Sequence, residues 1–317
     1  MKYVGILQQQ SSNNFKSFLL LIMFPVLLIG LTWAFCAVTF PNSLTNYDPD
    51  GYNITSGEAF LNCVPIVLAA TAIWFLIAYI FNSLMISVAT SSKPLERREN
   101  KRVYNLVENL CMAQGMPMPK VNVIEDSSLN AFASGINNKS YTVTLSRGII
   151  EKLDDAELEG VIAHELTHIR NRDVRLLIVS IIFVGIFTYI AQVAMRSLLY
   201  APRRSSGGKN DKNGAVVLLI VAVLAAIGYF FSLLLRFAIS RNREFMADAG
   251  SAEMTKNPRA LASALRKISG DPTIEAVRNE DVAQLFIEHP LSKKGGFSSL
   301  FATHPPIKKR IEILEQF

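Results

Sequence analysis

Four long apolar blocks interrupt the polar parts of this sequence. Each lacks Asp, Glu, Lys and Arg between its flanking charges, which are Lys16 and Asp48, Glu58 and Lys93, Arg175 and Arg196, and Lys212 and Arg236. The two shortest blocks hold 20 and 23 residues, and a helix of that length reaches roughly 30 to 35 Å, the thickness of a bilayer core. The pattern predicts four hydrophobic helices, of which the first two cover about 18–40 and 60–88.

The distribution of basic residues predicts which side of the membrane each polar segment faces. Lys2 and Lys16 precede the first block, loop 41–57 has no Lys or Arg, and residues 93–102 carry five basic residues. Because positive charges remain on the cytoplasmic side, we expect a multi-pass plasma (inner) membrane protein whose N-terminus and residues after 92 face the cytoplasm. Linker 196–212 also carries five basic residues, so the last two blocks either span the membrane against this rule or form a shallow hairpin.

Two polar segments remain, and each is too short to hold an obvious core alone. Together they make roughly 160 residues, a normal domain size. We therefore predict an N-terminal transmembrane pair (1–92), a first domain part (93–173), a membrane hairpin (174–235) and a second domain part (236–317).

Within the polar segments, the apolar spacing predicts helices and three short strands. The strands are expected at 120–124, 131–134 and 141–145, after a helix over 95–114. Residues Asp154 to Glu157 resemble a capping box that opens a helix through about Arg170, and further helices are expected after Asn257 and after Pro305-Pro306. These elements indicate an α+β, mostly helical fold with a small antiparallel sheet.

Composition excludes several classes of protein. The chain is 50% hydrophobic and 18% charged, with mean hydropathy +0.28, which excludes a disordered chain and argues against an ordinary soluble enzyme. Three cysteines exclude a disulfide scaffold. The net charge of +6 comes from basic residues beside the apolar blocks, so we expect a lipid bilayer rather than nucleic acid as partner.

The sequence His164-Glu165-Leu166-Thr167-His168 predicts a zinc site. Two histidines four residues apart project from one face of a helix, and their neutral rings suit zinc. Glu165 is rotated by about 100° from His164, so it can take a proton from a water activated by zinc without being a ligand. Two incidental histidines on one helix are the alternative.

A catalytic zinc needs a third protein ligand and an open position, and Glu244 is the best candidate. Antiparallel helices of matched length in the hairpin would return Glu244 to the level of the two histidines. Asp248, on the same face, could accept a hydrogen bond from the nitrogen of a zinc histidine that faces away from the metal. The alternatives are an ion pair of Glu244 with Arg241 or Arg243, and solvation of Asp248 at the surface.

With these motifs, the chain resembles the HtpX family of membrane zinc metalloproteases, relatives of the CAAX prenyl proteases. The likeness rests on His164–His168, Glu244–Ala249, the edge-strand sequence Asn130–Gly135, and Thr303–Pro306 with Arg310, and it covers nearly the whole chain. It implies a zincin-like domain with one Zn²⁺ per chain. It also implies endoproteolysis of membrane or misfolded proteins in quality control, at the cytoplasmic face.

Three further roles are expected for residues in the motifs that carry this resemblance. A protein or peptide substrate could add as a strand to the edge formed by Asn130, Ala131, Phe132, Ala133 and Ser134, although an ordinary short strand is the alternative. His304 is a candidate catalytic residue that stabilises the oxyanion or gates the site, unless it caps a helix or lies at the surface. Arg310 is either a partner of a substrate carboxylate or a structural partner.

Competing functions are a CAAX-type prenyl protease, a non-catalytic membrane scaffold and a transporter. A prenyl protease would be expected to have more spans than four. The presence of Glu165 argues against the scaffold, and the absence of acidic residues within the apolar blocks argues against the transporter.

Overall fold

A computed structural model describes residues 6–40, 55–200, 219–230, 242–271, 274, 285–287 and 305–317. The chain divides into two compact units. The apolar unit comprises Phe18–Ala78 and Ser180–Arg236, and the polar unit comprises Met1–Ser17, Tyr79–Val179 and Phe237–Phe317.

Helices from the four apolar blocks contribute to the apolar unit. They are α1 (Ile6–Thr39), α2 (Ser56–Thr90), α6 (Asp173–Tyr200) and the shorter α7 (Leu219–Phe230). Two of them, α1 from Gln10 and α2, are long and apolar enough to cross a membrane. Large apolar side chains such as Leu61 and Ile66 are 70% exposed, as expected of surfaces in contact with lipid. The four-span arrangement stays a prediction.

The polar unit contains a four-stranded mixed sheet. Its strands are β1 (Lys93–Pro94), β2 (Lys120–Ile124), β3 (Ala131–Ser134) and β4 (Thr142–Ser146), in the order β1-β2-β4-β3. β2 runs parallel to β4, whereas β1–β2 and β3–β4 are antiparallel. The predicted antiparallel sheet is therefore wrong.

The path of the chain explains this mixture. After β2 the chain crosses to the far edge of the sheet, forms β3, and turns back so that β4 lies between the two and runs in the direction of β2. The turn needs Gly135, whose φ is 112° and at which a Cβ would lie 2.5 Å from the Ser140 carbonyl oxygen. Such strand order is not readable from apolar spacing.

Side-chain caps mark the start of several helices of the polar unit. The first, α3 (Lys101–Gln114), starts six residues later than predicted, because the Asn100 side chain accepts a hydrogen bond from the Val103 amide. After α4 (Arg147–Lys152), α5 (Asp155–Arg170) begins as predicted, with a complete capping box between Asp154 and Glu157. The later helices are α8 (Asn242–Thr255), α9 (Pro258–Ile268) and α10 (Ile307–Leu314), of which α9 and α10 begin near their predicted starts.

Helix α5 is the centre of the polar unit. It packs against α8, α9 and β3, and its last three turns are almost completely buried. Gly160 lets α9 approach closely, since a Cβ there would lie 3.2 Å from the Leu261 backbone, and Gly250 of α8 faces Thr167 in the same way. Side chains on α5 are therefore held by a rigid, tightly packed element.

Candidate metal centre

Two adjoining turns of α5 and the first turn of α8 bring three ligand side chains together. The Nε2 atoms of His164 and His168 lie 3.2 Å apart. Glu244 places one carboxylate oxygen 3.6 Å from His164 Nε2 and the other 3.7 Å from His168 Nε2. All three ligand atoms lie within 4.8 Å of one another, so the structure brings together the three residues that the sequence proposed as metal ligands.

This donor set fits a zinc-sized ion. Tetrahedral ligands about 2.0–2.1 Å from zinc lie about 3.3 Å from one another, close to the separations between these side chains. Glu165 supports the same interpretation, because its Oε1 atom is buried and has no hydrogen-bond partner. A buried carboxylate oxygen without a partner is costly, and a metal with its water would satisfy it.

His164 is supported by the C-terminal part of the chain. Its Nδ1 atom lies 3.0 Å from Asp248 Oδ1, the contact expected from the sequence. Arg310 of α10 donates two hydrogen bonds to Asp248, from Nε at 2.9 Å and from Nη2 at 2.7 Å, and is 1% exposed. Of the two roles open to Arg310, the structure therefore shows the structural one. We call His164, Asp248 and Arg310 the C-terminal flank.

His168 is supported by a different set of residues, which the sequence analysis missed. Its Nδ1 atom lies 3.0 Å from Asp173 Oδ2, and the other oxygen of Asp173 accepts a hydrogen bond of 2.6 Å from Asn13 Nδ2. We call His168, Asp173 and Asn13 the N-terminal flank. The available signal was an acidic residue, Asp173, at the start of an apolar helix, where it would be costly without a partner.

Charge and burial shift the pKa values of the site. Burial alone would lower the pKa of His168, but the Glu244 and Asp173 carboxylates outweigh it and raise this pKa to about 10. Burial raises the pKa of Glu165. It would also raise the pKa of Asp248, but the Arg310 guanidinium and the contact with His164 hold that pKa below its usual range. The carboxylate beside His164 therefore stays ionised.

A pocket opens beside the ligands, lined by residues that include Ala133, Glu165, His168 and Glu244. Residues 285–287 line it as well and lie along the outer edge of β3. Phe286 bridges Phe132 in antiparallel fashion, and the Ile287 amide donates to the Ala131 carbonyl at 2.8 Å. The predicted substrate edge is thus next to the metal centre, and in this structure the protein's own chain pairs with it.

The structure gives less information about the other residues that the sequence proposed for the site. Arg243 Nε lies 3.8 Å from a Glu244 oxygen, so the ion pair considered as the alternative role of Glu244 is present at long range together with the metal-ligand arrangement. Arg241 and His304 lie outside the described residues. Asn130, the first residue of the predicted edge, uses its side-chain oxygen to accept from the Ala131 amide at 3.0 Å.

Comparison with known proteins gives a consistent result. Peptidase family M48 matches residues 97–317. A protease HtpX homologue of Bacteroides fragilis is 62% identical, with all of both chains covered. Homologues of the same name from Dictyoglomus thermophilum (45% identical, 69% of this chain and 70% of the relative) and Listeria monocytogenes (36%, 81% and 87%) are more distant.

Among solved structures, the crystal structure of S. mikatae Ste24p matches with a TM-score of 0.46 and 19% identity, covering 96% of this chain and 66% of that one. The family assignment rests on the sequence matches, and these agree with the ligand geometry of α5 and α8. The chain belongs to peptidase family M48 and is a membrane-associated metallopeptidase of the HtpX type.

Proposed function

We propose that this metallopeptidase is a zinc-dependent endopeptidase that cuts membrane or misfolded proteins at the cytoplasmic face, in protein quality control. The observation that carries the proposal is the convergence of His164, His168 and Glu244 beside the buried, unpartnered Glu165 oxygen. Three protein ligands leave one coordination position open, as catalytic zinc sites require.

These three ligands would hold one Zn²⁺ per chain. When bound, zinc polarises the scissile carbonyl and lowers the pKa of a water molecule to about 7. Asp248 and Asp173 each accept a hydrogen bond from the Nδ1–H of one histidine, which fixes the tautomer that leaves Nε2 free to bind the metal. The ligands are therefore oriented before a substrate arrives.

Glu165 is the general base. It accepts the proton of the attacking water and afterwards donates a proton to the departing amine, so that the peptide bond breaks without forming a free amide anion. Burial raises its pKa, which brings it closer to the pH at which a carboxyl group can both accept and donate a proton. His304 is proposed to stabilise the oxyanion.

Substrate binds as an extended strand on Asn130, Ala131, Phe132, Ala133 and Ser134. The peptide takes the hydrogen bonds at the edge of β3 that residues 285–287 make in this structure. Backbone pairing accepts many sequences, because it reads the main chain and leaves side chains to neighbouring pockets. This suits a protease that removes misfolded proteins.

The membrane arrangement is proposed to be multi-pass, with four spans and the metal centre on the cytoplasmic side. The exposed apolar side chains of α1 and α2 support the first two spans. The basic residues at 93–102 support the orientation, because they follow the second span directly.

Glu165→Gln tests the chemistry. The purified full-length variant should bind zinc as the wild type does, because Glu165 is not a ligand. It should lose about 10²- to 10⁴-fold of its activity on casein, because Gln cannot accept a proton. Glu159→Gln makes the same change at a partly exposed position of α5, outside the metal ligands, and should keep full activity. Proteolysis by Glu165→Gln at the wild-type rate would show that another base serves.

The same assay in sealed membrane vesicles tests orientation. A chelator that cannot cross the membrane should stop cleavage of added casein in inverted vesicles. Cleavage by right-side-out vesicles instead would place the site outside the cell.

A further inference from the structure

The side chain of Asn13 is buried near the start of α1. It is 2% exposed, and its amide nitrogen lies 2.6 Å from Asp173 Oδ1 and 2.9 Å from the Asn171 carbonyl oxygen. Burying an amide is unfavourable unless it is hydrogen-bonded, and here both protons of the NH₂ group have an acceptor. The partners lie about 160 residues away in the sequence, so no local turn requires this contact.

The acceptors of Asn13 belong to the turn between the helix of the histidines and α6. This turn is unusual, because Arg172 has a φ of 61°, a value uncommon for residues other than glycine. The last carbonyl groups of α5 have no partner within the helix. Gln10, one helical turn before Asn13, donates to the Arg170 carbonyl at 2.7 Å. Both side chains therefore hold the end of α5, but only Asn13 also holds a side chain of the metal centre.

Asp173 has two oxygens with two different tasks. Oδ1 accepts from Asn13, and Oδ2 lies 3.0 Å from His168 Nδ1. A hydrogen bond to one oxygen restricts rotation of the carboxylate, and it therefore limits the directions in which the other oxygen can point. The orientation of the His168 ring thus depends on Asn13 through Asp173, since the nitrogen opposite the metal determines the tautomer and tilt of a ligating imidazole.

We infer that Asn13 is a positioning residue of the metal centre, acting through Asp173 on His168. The inference rests on the proposed zinc function. Asn13 lies outside residues 97–317, the part of the chain that matches peptidase family M48. The first helix is accordingly a functional part of the active site as well as a candidate membrane anchor.

The experiment measures zinc affinity of the full-length protein in detergent, by competition with a chromophoric chelator. Asn13→Ala should weaken zinc binding about threefold to tenfold, somewhat less than the 10- to 100-fold typical for a direct partner of a zinc histidine. Gln10→Ala removes a hydrogen bond to the same turn from the same helix, and should change the affinity less than about twofold. The melting temperature of each variant in EDTA reports whether the fold is intact.

A double-mutant cycle separates positioning from general support. If Asn13 acts through Asp173, then Asn13→Ala should cause no further loss of zinc affinity when Asp173→Ala is already present. The absorption bands of the cobalt-substituted protein should shift in Asn13→Ala and in the nearly isosteric Asn13→Asp, but not in Gln10→Ala. If a variant is too unstable to purify, the other Asn13 substitution provides the comparison.

Three results would overturn the inference. These are zinc affinity of both Asn13 variants within about twofold of wild type, an equal loss in Gln10→Ala, or a full additional loss from Asn13→Ala in the Asp173→Ala background. In each case the wild type still binds zinc and the proposed function stands. A wild-type protein that binds no zinc would overturn both proposals at once.

Discussion

The two flanks of the metal centre support equivalent histidines by different means. The C-terminal flank joins His164 to Asp248 and Arg310, side chains of α8 and α10, so a buried ion pair holds the carboxylate. The N-terminal flank joins His168 to Asp173, only five residues along the chain, and a neutral amide from α1 holds the carboxylate. One flank therefore depends on charge pairing, and the other on a single amide group.

This difference predicts different consequences when a supporting residue is removed from each flank by mutation. Removing one partner of a buried ion pair leaves an uncompensated charge in the core, which is strongly destabilising. Removing a neutral donor leaves an acceptor without its partner, which costs less. We therefore expect the C-terminal flank to contribute to folding as well as to metal binding, and the N-terminal flank to act mainly on metal binding.

The largest effect is expected from Arg310→Met. The substitution leaves the Asp248 carboxylate buried without its cation, and should lower the free energy of unfolding of the metal-free protein by about 3–5 kcal/mol. Thermal denaturation in EDTA should show a decrease of roughly 10 °C in melting temperature. Arg98→Met, which removes an exposed ion pair with Glu96, should change little.

The double variant Arg310→Met/Asp248→Asn should recover part of this loss, because it removes the buried charge. A melting temperature for Arg310→Met equal to that of Arg98→Met would show that the buried pair does not stabilise the fold, and the contrast between the flanks would be lost.

The next-largest effect is expected when the carboxylate of either flank, Asp173 or Asp248, is replaced by an amide. Asp173→Asn and Asp248→Asn should each weaken zinc binding about 10- to 100-fold, because an amide supports a ligating histidine less well. Only Asp248→Asn should also lower the melting temperature in EDTA, since only it removes the charge of the carboxylate to which Arg310 donates two hydrogen bonds. Equal melting temperatures of the two variants would contradict the assigned difference.

The sequence was most informative where the determining interactions are local. The start of α5 could be predicted because Asp154 and Glu157 form their capping box within one turn, and the spacing of His164 and His168 places both on one face. Glu244 could be proposed because the lengths of the two hairpin blocks constrain where the chain returns.

The features that could not be predicted depend on contacts between segments that lie far apart in the sequence. The partners of Asp173 include Asn13, from a helix that apolar spacing identifies only as a candidate span. The mixed sheet results from the spatial order of the strands in the sheet, which cannot be read from any single strand. Pairing of residues 285–287 with β3 likewise brings together segments about 150 residues apart, and neither segment alone indicates it.

The most direct measurement is a crystal structure of the zinc-loaded full-length protein, with anomalous difference maps collected on both sides of the zinc absorption edge. The account predicts one zinc peak per chain, bonded to Nε2 of His164, Nε2 of His168 and a carboxylate oxygen of Glu244, with Asp248 and Asp173 hydrogen-bonded to the two Nδ1 atoms. A peak at another position, or ligation through Nδ1 of either histidine, would contradict it.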